Sequence, residues 1–183
     1  MISDDELYLL SFYRASELAG SMLFGRLAFH TTIDDLRAPL TRHCLEEAEH
    51  AWLWTETILK LGRTPLKVER TYQSEYGREF GLPSDMLEIL CLTQTLEKRA
   101  VEHFERHLRA PDVHPLVAET LRKMIADEAG HLGWVRVRLD EYARTGDAAR
   151  LEALTARLEA VDRTAYERLA VGSPYSRFFA EAT

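Results

Sequence analysis

Two short stretches, Glu47-Ala48-Glu49-His50 and Glu128-Ala129-Gly130-His131, each set a carboxylate and an imidazole three residues apart. On a helix that spacing puts both groups on one face. A further glutamate stands upstream of each, Glu17 thirty residues before Glu47 and Glu97 thirty-one before Glu128. The interval is one helix, a turn and part of the next helix. The chain therefore carries one device twice: a Glu on one helix, then Glu-x-x-His on the helix that follows. Four inward-facing helices bearing these groups make a two-metal carboxylate site.

A lone Glu-x-x-His is weak, because such a short motif arises by chance. The surrounding pattern strengthens it. Glu17 interrupts the stripe Leu10, Tyr13, Phe24, Leu27. Glu47 and His50 interrupt Leu40, His43 or Cys44, Ala51, Trp54, Ile58. Glu97 falls among Leu90, Thr93, Ala100, Phe104, and Glu128 with His131 among Leu121, Met124, Val135, Leu139. Each stripe repeats at helical spacing and faces a core. Buried carboxylates repel one another and lose hydration unless they are neutralised. Lys and Arg are missing from these stripes, which leaves two divalent cations to balance four carboxylates.

The expected ligands are Glu17, Glu47, His50, Glu97, Glu128 and His131. Glu47 and Glu128 hold corresponding positions in the repeat and are expected to bridge both ions. Glu17 with His50, and Glu97 with His131, are the terminal ligands. Glu46 and Asp127 precede the two bridging residues and are expected to hydrogen-bond a ligand imidazole of the other repeat. A solvated helix face is the plainer reading of both. Carboxylates with one imidazole per ion suit two Fe ions, or Mn or a mixed Fe/Mn pair, whereas structural zinc more often takes thiolates. His30, His43, His103, His107 and His114 read as structural or exposed. Tyr13 and Tyr142 lie within a turn or several of the ligands and could carry an electron or line a pocket, with core packing the plainer reading.

The remaining pattern predicts an all-α fold in a single domain over 1–183: a four-helix bundle over about 4–145, then a C-terminal helix and tail over about 147–183. The first helix is capped by Ser3 or Asp4 and runs to about His30. The second starts near Leu36 to Pro39 and stops at Leu61-Gly62. Pro65, Gly77, Gly81 and Pro83 mark a crossover too long for a tight hairpin, with a short helix over 71–80. Ser84 caps the third long helix, which reaches Arg109 or Ala110. The fourth starts at Asp112 or in the turn holding Pro111 and Pro115, and ends near Thr145-Gly146. Asp147 caps an appended helix to about Leu169 that covers the bundle or forms a dimer contact. Tyr175, Phe178 and Phe179 in the tail are expected to pack back. Gly20 and Ser21, one turn after Glu17, are expected either to leave space beside that carboxylate or to allow close helix packing.

Composition bounds the partners. The formal charge of −7 speaks against general nucleic-acid binding. No apolar run approaches a membrane span. Cys44 and Cys91 match no paired metal-binding spacing, and the absence of a disulfide framework fits a reducing cytoplasm. A homodimer is the expected assembly.

The doubled motif resembles that of the ferritin-like di-iron carboxylate superfamily, a Glu and then Asp-Glu-x-x-His, used twice. The second copy matches throughout with Glu97 and Asp127-Glu128-Ala129-Gly130-His131, and the first carries Glu46 where the family has Asp. The resemblance covers about residues 10–142. Within the superfamily, Glu97-Lys98-Arg99-Ala100-Val101-Glu102-His103-Phe104 is similar to the third-helix segment of the di-iron hydroxylases of tRNA modification and ubiquinone synthesis. The acidic balance speaks against tRNA as substrate. Rubrerythrin-like peroxidases carry an extra Glu where this chain has Ala100, and rubredoxin-type cysteines that it lacks. The resemblance implies a long crossover between the second and third helices. It also implies an oxidoreductase that activates O2 to oxidise or hydroxylate a small organic substrate, fed by an electron-donor protein. Ferroxidase or iron-handling activity and rubrerythrin-like reduction of H2O2 are the alternatives. A non-catalytic, metal-stabilised bundle acting in protein interactions is the third.

Overall fold

A computed structural model describes residues 2–171. The described residues are helical, with no strand: α1 Asp4–His30, α2 Asp34–Lys60, α3 Tyr72–Glu79, α4 Met86–Leu108, α5 Pro115–Thr145 and α6 Ala148–Ala170. None of these helices is long and apolar enough to cross a membrane. Tyr175, Phe178 and Phe179 lie outside the described residues. By its internal contacts the chain divides between Gln73 and Ser74 into two compact units.

The first unit is a helical hairpin. Ser3 caps α1 by accepting the Glu6 N–H at 3.1 Å, ahead of an acidic first turn that complements the helix dipole. α2 begins at Asp34, before the expected 36–39 start, so Pro39 lies in its second turn. Pro39 has no N–H to give the Asp35 carbonyl, a loss water can make good at an exposed helix start. Contacts between α1 and α2 fall on one helix as they rise on the other, which makes the pair antiparallel. Arg63 bonds Asp4 at 2.6 Å, Arg14 bonds Thr55 at 2.8 Å, and the Ser21 hydroxyl donates to the Cys44 carbonyl at 2.9 Å. Tyr13 is buried against Trp54 with ring centres 5.1 Å apart, so it is a core residue. Tyr72 closes the unit edge-on to Phe12 at 5.2 Å. Gly62, at φ +72°, ends α2 in the left-handed region where glycine is favoured.

The second unit is built on α4. Asp85, one residue after the expected Ser84, caps α4 through the Glu88 N–H. The Glu88 carboxylate reaches back to the Ser84 N–H and hydroxyl at 2.7 and 2.8 Å, and this reciprocal box explains the one-residue difference. α5 starts at Pro115 rather than Asp112, because proline suits a first helical position and the His114 ring accepts the Leu116 N–H. α5 and α6 both pack on α4. Asp147 caps α6 as its position predicts.

α6 runs parallel to α4, since contacts climb the two helices together. Arg150 pairs with Asp85, Arg99 with Asp162, and Arg106 with Tyr166. Leu154, Leu158, Val161 and Leu169 are buried along α6. Asp162 is buried among them and accepts bonds from the Arg99 guanidinium and the Tyr76 hydroxyl. Arg168 of α6 pairs with Glu79 of α3, and the Arg157 guanidinium lies 4.4 Å over the Phe80 ring. Within this unit, then, the C-terminal helix covers α4.

Candidate metal centre

Each unit carries one copy of the doubled motif. In the first, Glu17 comes from α1, and Glu47 and His50 from α2. All three are buried, and one ligand atom from each lies within 4.8 Å of the other two. Donors on opposite sides of an ion with bonds near 2.1 Å stand about 4.2 Å apart. The trio is therefore spaced so that it could hold a cation.

Gly20 shapes this trio. A Cβ placed there would stand 2.5 Å from Glu47 Oε2 and 3.2 Å from its carboxyl carbon. The room left by the missing side chain is thus taken by the Glu47 carboxylate rather than standing open beside Glu17. Ser21, by its bond to the Cys44 carbonyl, serves helix packing.

His43, which the motif spacing gives no ligand role, lies beside these residues. It is buried, and its Nε2 lies 3.1 Å from Glu47 Oε1. Phe24 stacks on the imidazole with ring centres 3.8 Å apart and planes 31° apart. The signal was present, since His43 stands four residues before Glu47 on the inward stripe. Cys44 competed for the same place in the pattern, and no Glu-x-x-His spacing pointed to His43.

In the second unit, Glu97 comes from α4, and Glu128 and His131 from α5. Glu128 is fully buried and its Oε2 lies 2.8 Å from His131 Nδ1. Glu97 Oε1 stands 4.0 Å from the same nitrogen. Both carboxylates thus approach the same imidazole nitrogen. The position corresponding to His43 is Met124, buried on α5. The two copies therefore differ in chemistry at that point.

Glu46 and Asp127 are partly exposed, and each takes a bond from a cation one turn earlier on its own helix. Arg42 reaches Glu46 at 2.6 Å and Lys123 reaches Asp127 at 2.6 Å. His103 and His107 are buried on α4. Burial, and then the nearby charge of Arg106, hold the His103 imidazole well below its usual range, so it stays neutral. It packs against Tyr166 at 5.3 Å, a structural role.

The first unit carries an open groove of about 840 Å³ on its surface. Ser21, Ala38, Cys44, Leu45 and Ala48 line it, and Arg37 and Arg42 stand at its rim. Met22, Phe29, Leu45, Trp52 and Leu59 of the same hairpin are exposed. No protein-family model matches the chain, and neither does any curated protein.

Proposed function

We propose that the chain is a non-haem di-iron oxidoreductase of the ferritin-like kind, which uses O2 to oxidise or hydroxylate a small organic substrate. The observation that carries this reading is the buried trio Glu17, Glu47 and His50, with Glu97 and Glu128 approaching the His131 imidazole in the second unit. The residues fit the metal. Four carboxylates, those of Glu17, Glu47, Glu97 and Glu128, would cancel the charge of two divalent ions and leave a neutral buried centre. Each set offers two carboxylates and one imidazole, and the resemblance of the doubled motif to the ferritin-like pattern implies that Glu47 and Glu128 would be shared between ions. Imidazoles and carboxylates without thiolate favour Fe, Mn or a mixed pair over structural zinc.

Bound iron would supply the electrons that reduce O2, with an electron-donor protein restoring them. The protein's own part is to hold and orient. Gly20 leaves the Glu47 carboxylate in place. Burial of all six residues keeps bulk water from the centre. The groove lined by Ala38, Cys44, Leu45 and Ala48 suits a largely apolar substrate.

The exposed apolar residues of the hairpin suit a homodimer. Leu18, Met22 and Phe29 on α1, with Leu45, Trp52 and Leu59 on α2, are 36–83% exposed. At about 150–250 Å² for a large side chain, they offer roughly 700 Å² per copy. A standard interface needs about 800 Å² per partner.

The test is to load the metal-free protein anaerobically with Fe(II) and mix it rapidly with O2 or, separately, with H2O2. The reading expects fast oxidation by O2 that stops at two irons per chain. A strong preference for H2O2 would move the assignment to a peroxide reductase. Oxidation continuing well past two irons would move it to iron handling. Two bound irons inert to both oxidants would leave a metal-stabilised structural bundle.

A further inference from the structure

We propose that His43 is a seventh donor to the centre, a third imidazole that binds through Nε2 the ion sharing Oε1 of Glu47. The inference rests on the di-metal reading above and goes beyond its six ligands. Glu47 has an imidazole one turn to either side on α2: His50 three residues after it and His43 four residues before it. His50 joins Glu47 and Glu17 in one close trio, and His43 is not a member of that trio. Its Nε2 instead lies 3.1 Å from Glu47 Oε1.

Two donors at right angles on an ion, with bonds near 2.1 Å, stand about 3.0 Å apart. His43 and Glu47 already hold that spacing. His131 and Glu128, an expected ligand pair, hold a similar one at 2.8 Å. The Phe24 ring stacked on His43 fixes the plane of the imidazole, so that Nε2 is aimed rather than free to turn. A bridging carboxylate gives one oxygen to each ion. Glu17 and His50 would thus serve one ion, and His43 the other.

The consequence is an asymmetric centre. The corresponding position in the second unit is Met124, whose thioether is a poor partner for iron or manganese. One ion would carry one imidazole and the other two. The ion with fewer protein donors would keep more positions open for an external ligand.

The experiment uses the full chain labelled with ¹⁵N at histidine and titrated with Zn(II), a diamagnetic stand-in. Long-range proton–nitrogen correlation reads which ring nitrogens bind metal. We expect three rings, His43, His50 and His131, to acquire a metal-bound nitrogen at two Zn(II) per chain. His43→Gln should remove one set of signals and weaken one of the two binding steps tenfold or more, leaving the other step in place. If His50 and His131 respond and the His43 ring keeps its metal-free pattern, the inference is overturned while the di-metal reading stands. If no ring responds, both fall. The wild-type spectrum decides the matter even should His43→Gln fold poorly.

Discussion

Replacing Gly20 with alanine separates what the fold needs from what the proposed metal centre needs. Gly20 is buried in the interior of α1, and alanine there gains about 0.8–1 kcal/mol of helix propensity. The added methyl would stand 2.5 Å from Glu47 Oε2, roughly 1 Å inside ordinary contact. The atom it meets is the far end of a side chain, so the carboxylate can swing away without moving either helix. The propensity gain then offsets most of the repacking. The metal-free variant should match the wild type to within about 1 kcal/mol in urea unfolding. Glu47, however, is the residue expected to bridge both ions, and its displaced oxygen would no longer meet its partners. Displacing a ligand in this way weakens metal binding about 10–100-fold, or roughly 1.4–2.7 kcal/mol. Urea titration with and without Fe(II) reads both effects on one sample. Unchanged metal affinity in Gly20→Ala would refute the placement of Glu47 in the centre. A loss of more than about 3 kcal/mol without metal would refute the claim that the carboxylate yields freely.

Two predictions concern the second unit. Asp162→Ala leaves the largely buried Arg99 guanidinium without the carboxylate that ties α6 to α4, and should cost about 3 kcal/mol in chemical unfolding; a cost under about 0.5 kcal/mol would show that Glu102 suffices as partner. Burial alone would raise the Asp85 carboxyl, but the Arg150 guanidinium and the Glu88 N–H outweigh it and hold the group below its usual range. Its folded pKa is therefore depressed, so its contribution is present above the unfolded value near 3.9 and is lost as pH falls through the folded value. Asp85→Asn should flatten the acid limb of the stability–pH curve in that window, and an unchanged limb would contradict the assignment.

Much of the architecture is readable from local chemistry. The caps at Ser3 and Asp147, the stop at Gly62 and the short helix between Gly62 and Pro83 each rest on a residue type whose backbone preference is strong. The buried carboxylates are readable because a glutamate on an apolar stripe is conspicuous. Three features were not legible. The reciprocal bonding of Ser84 and Glu88 moved the α4 cap to Asp85, a competition among neighbouring polar residues that residue type alone does not rank. The attachment of α6 runs through Arg150, Arg99 and Asp162, and hydrophobic periodicity is blind to such pairs. His43 escaped because its partner lies four residues on rather than in the repeated motif, and because the Phe24 ring that orients it comes from another helix.

The central claim is that six residues hold two ions. Its most direct test is anaerobic equilibrium titration of the metal-free chain with Fe(II), counting bound ions in the wild type and in Glu47→Ala and Glu128→Ala. The account predicts two Fe(II) per chain in the wild type, falling to one or none in each variant while helix content is retained. A wild type that binds no iron, or variants that still bind two ions with unchanged affinity, would contradict it.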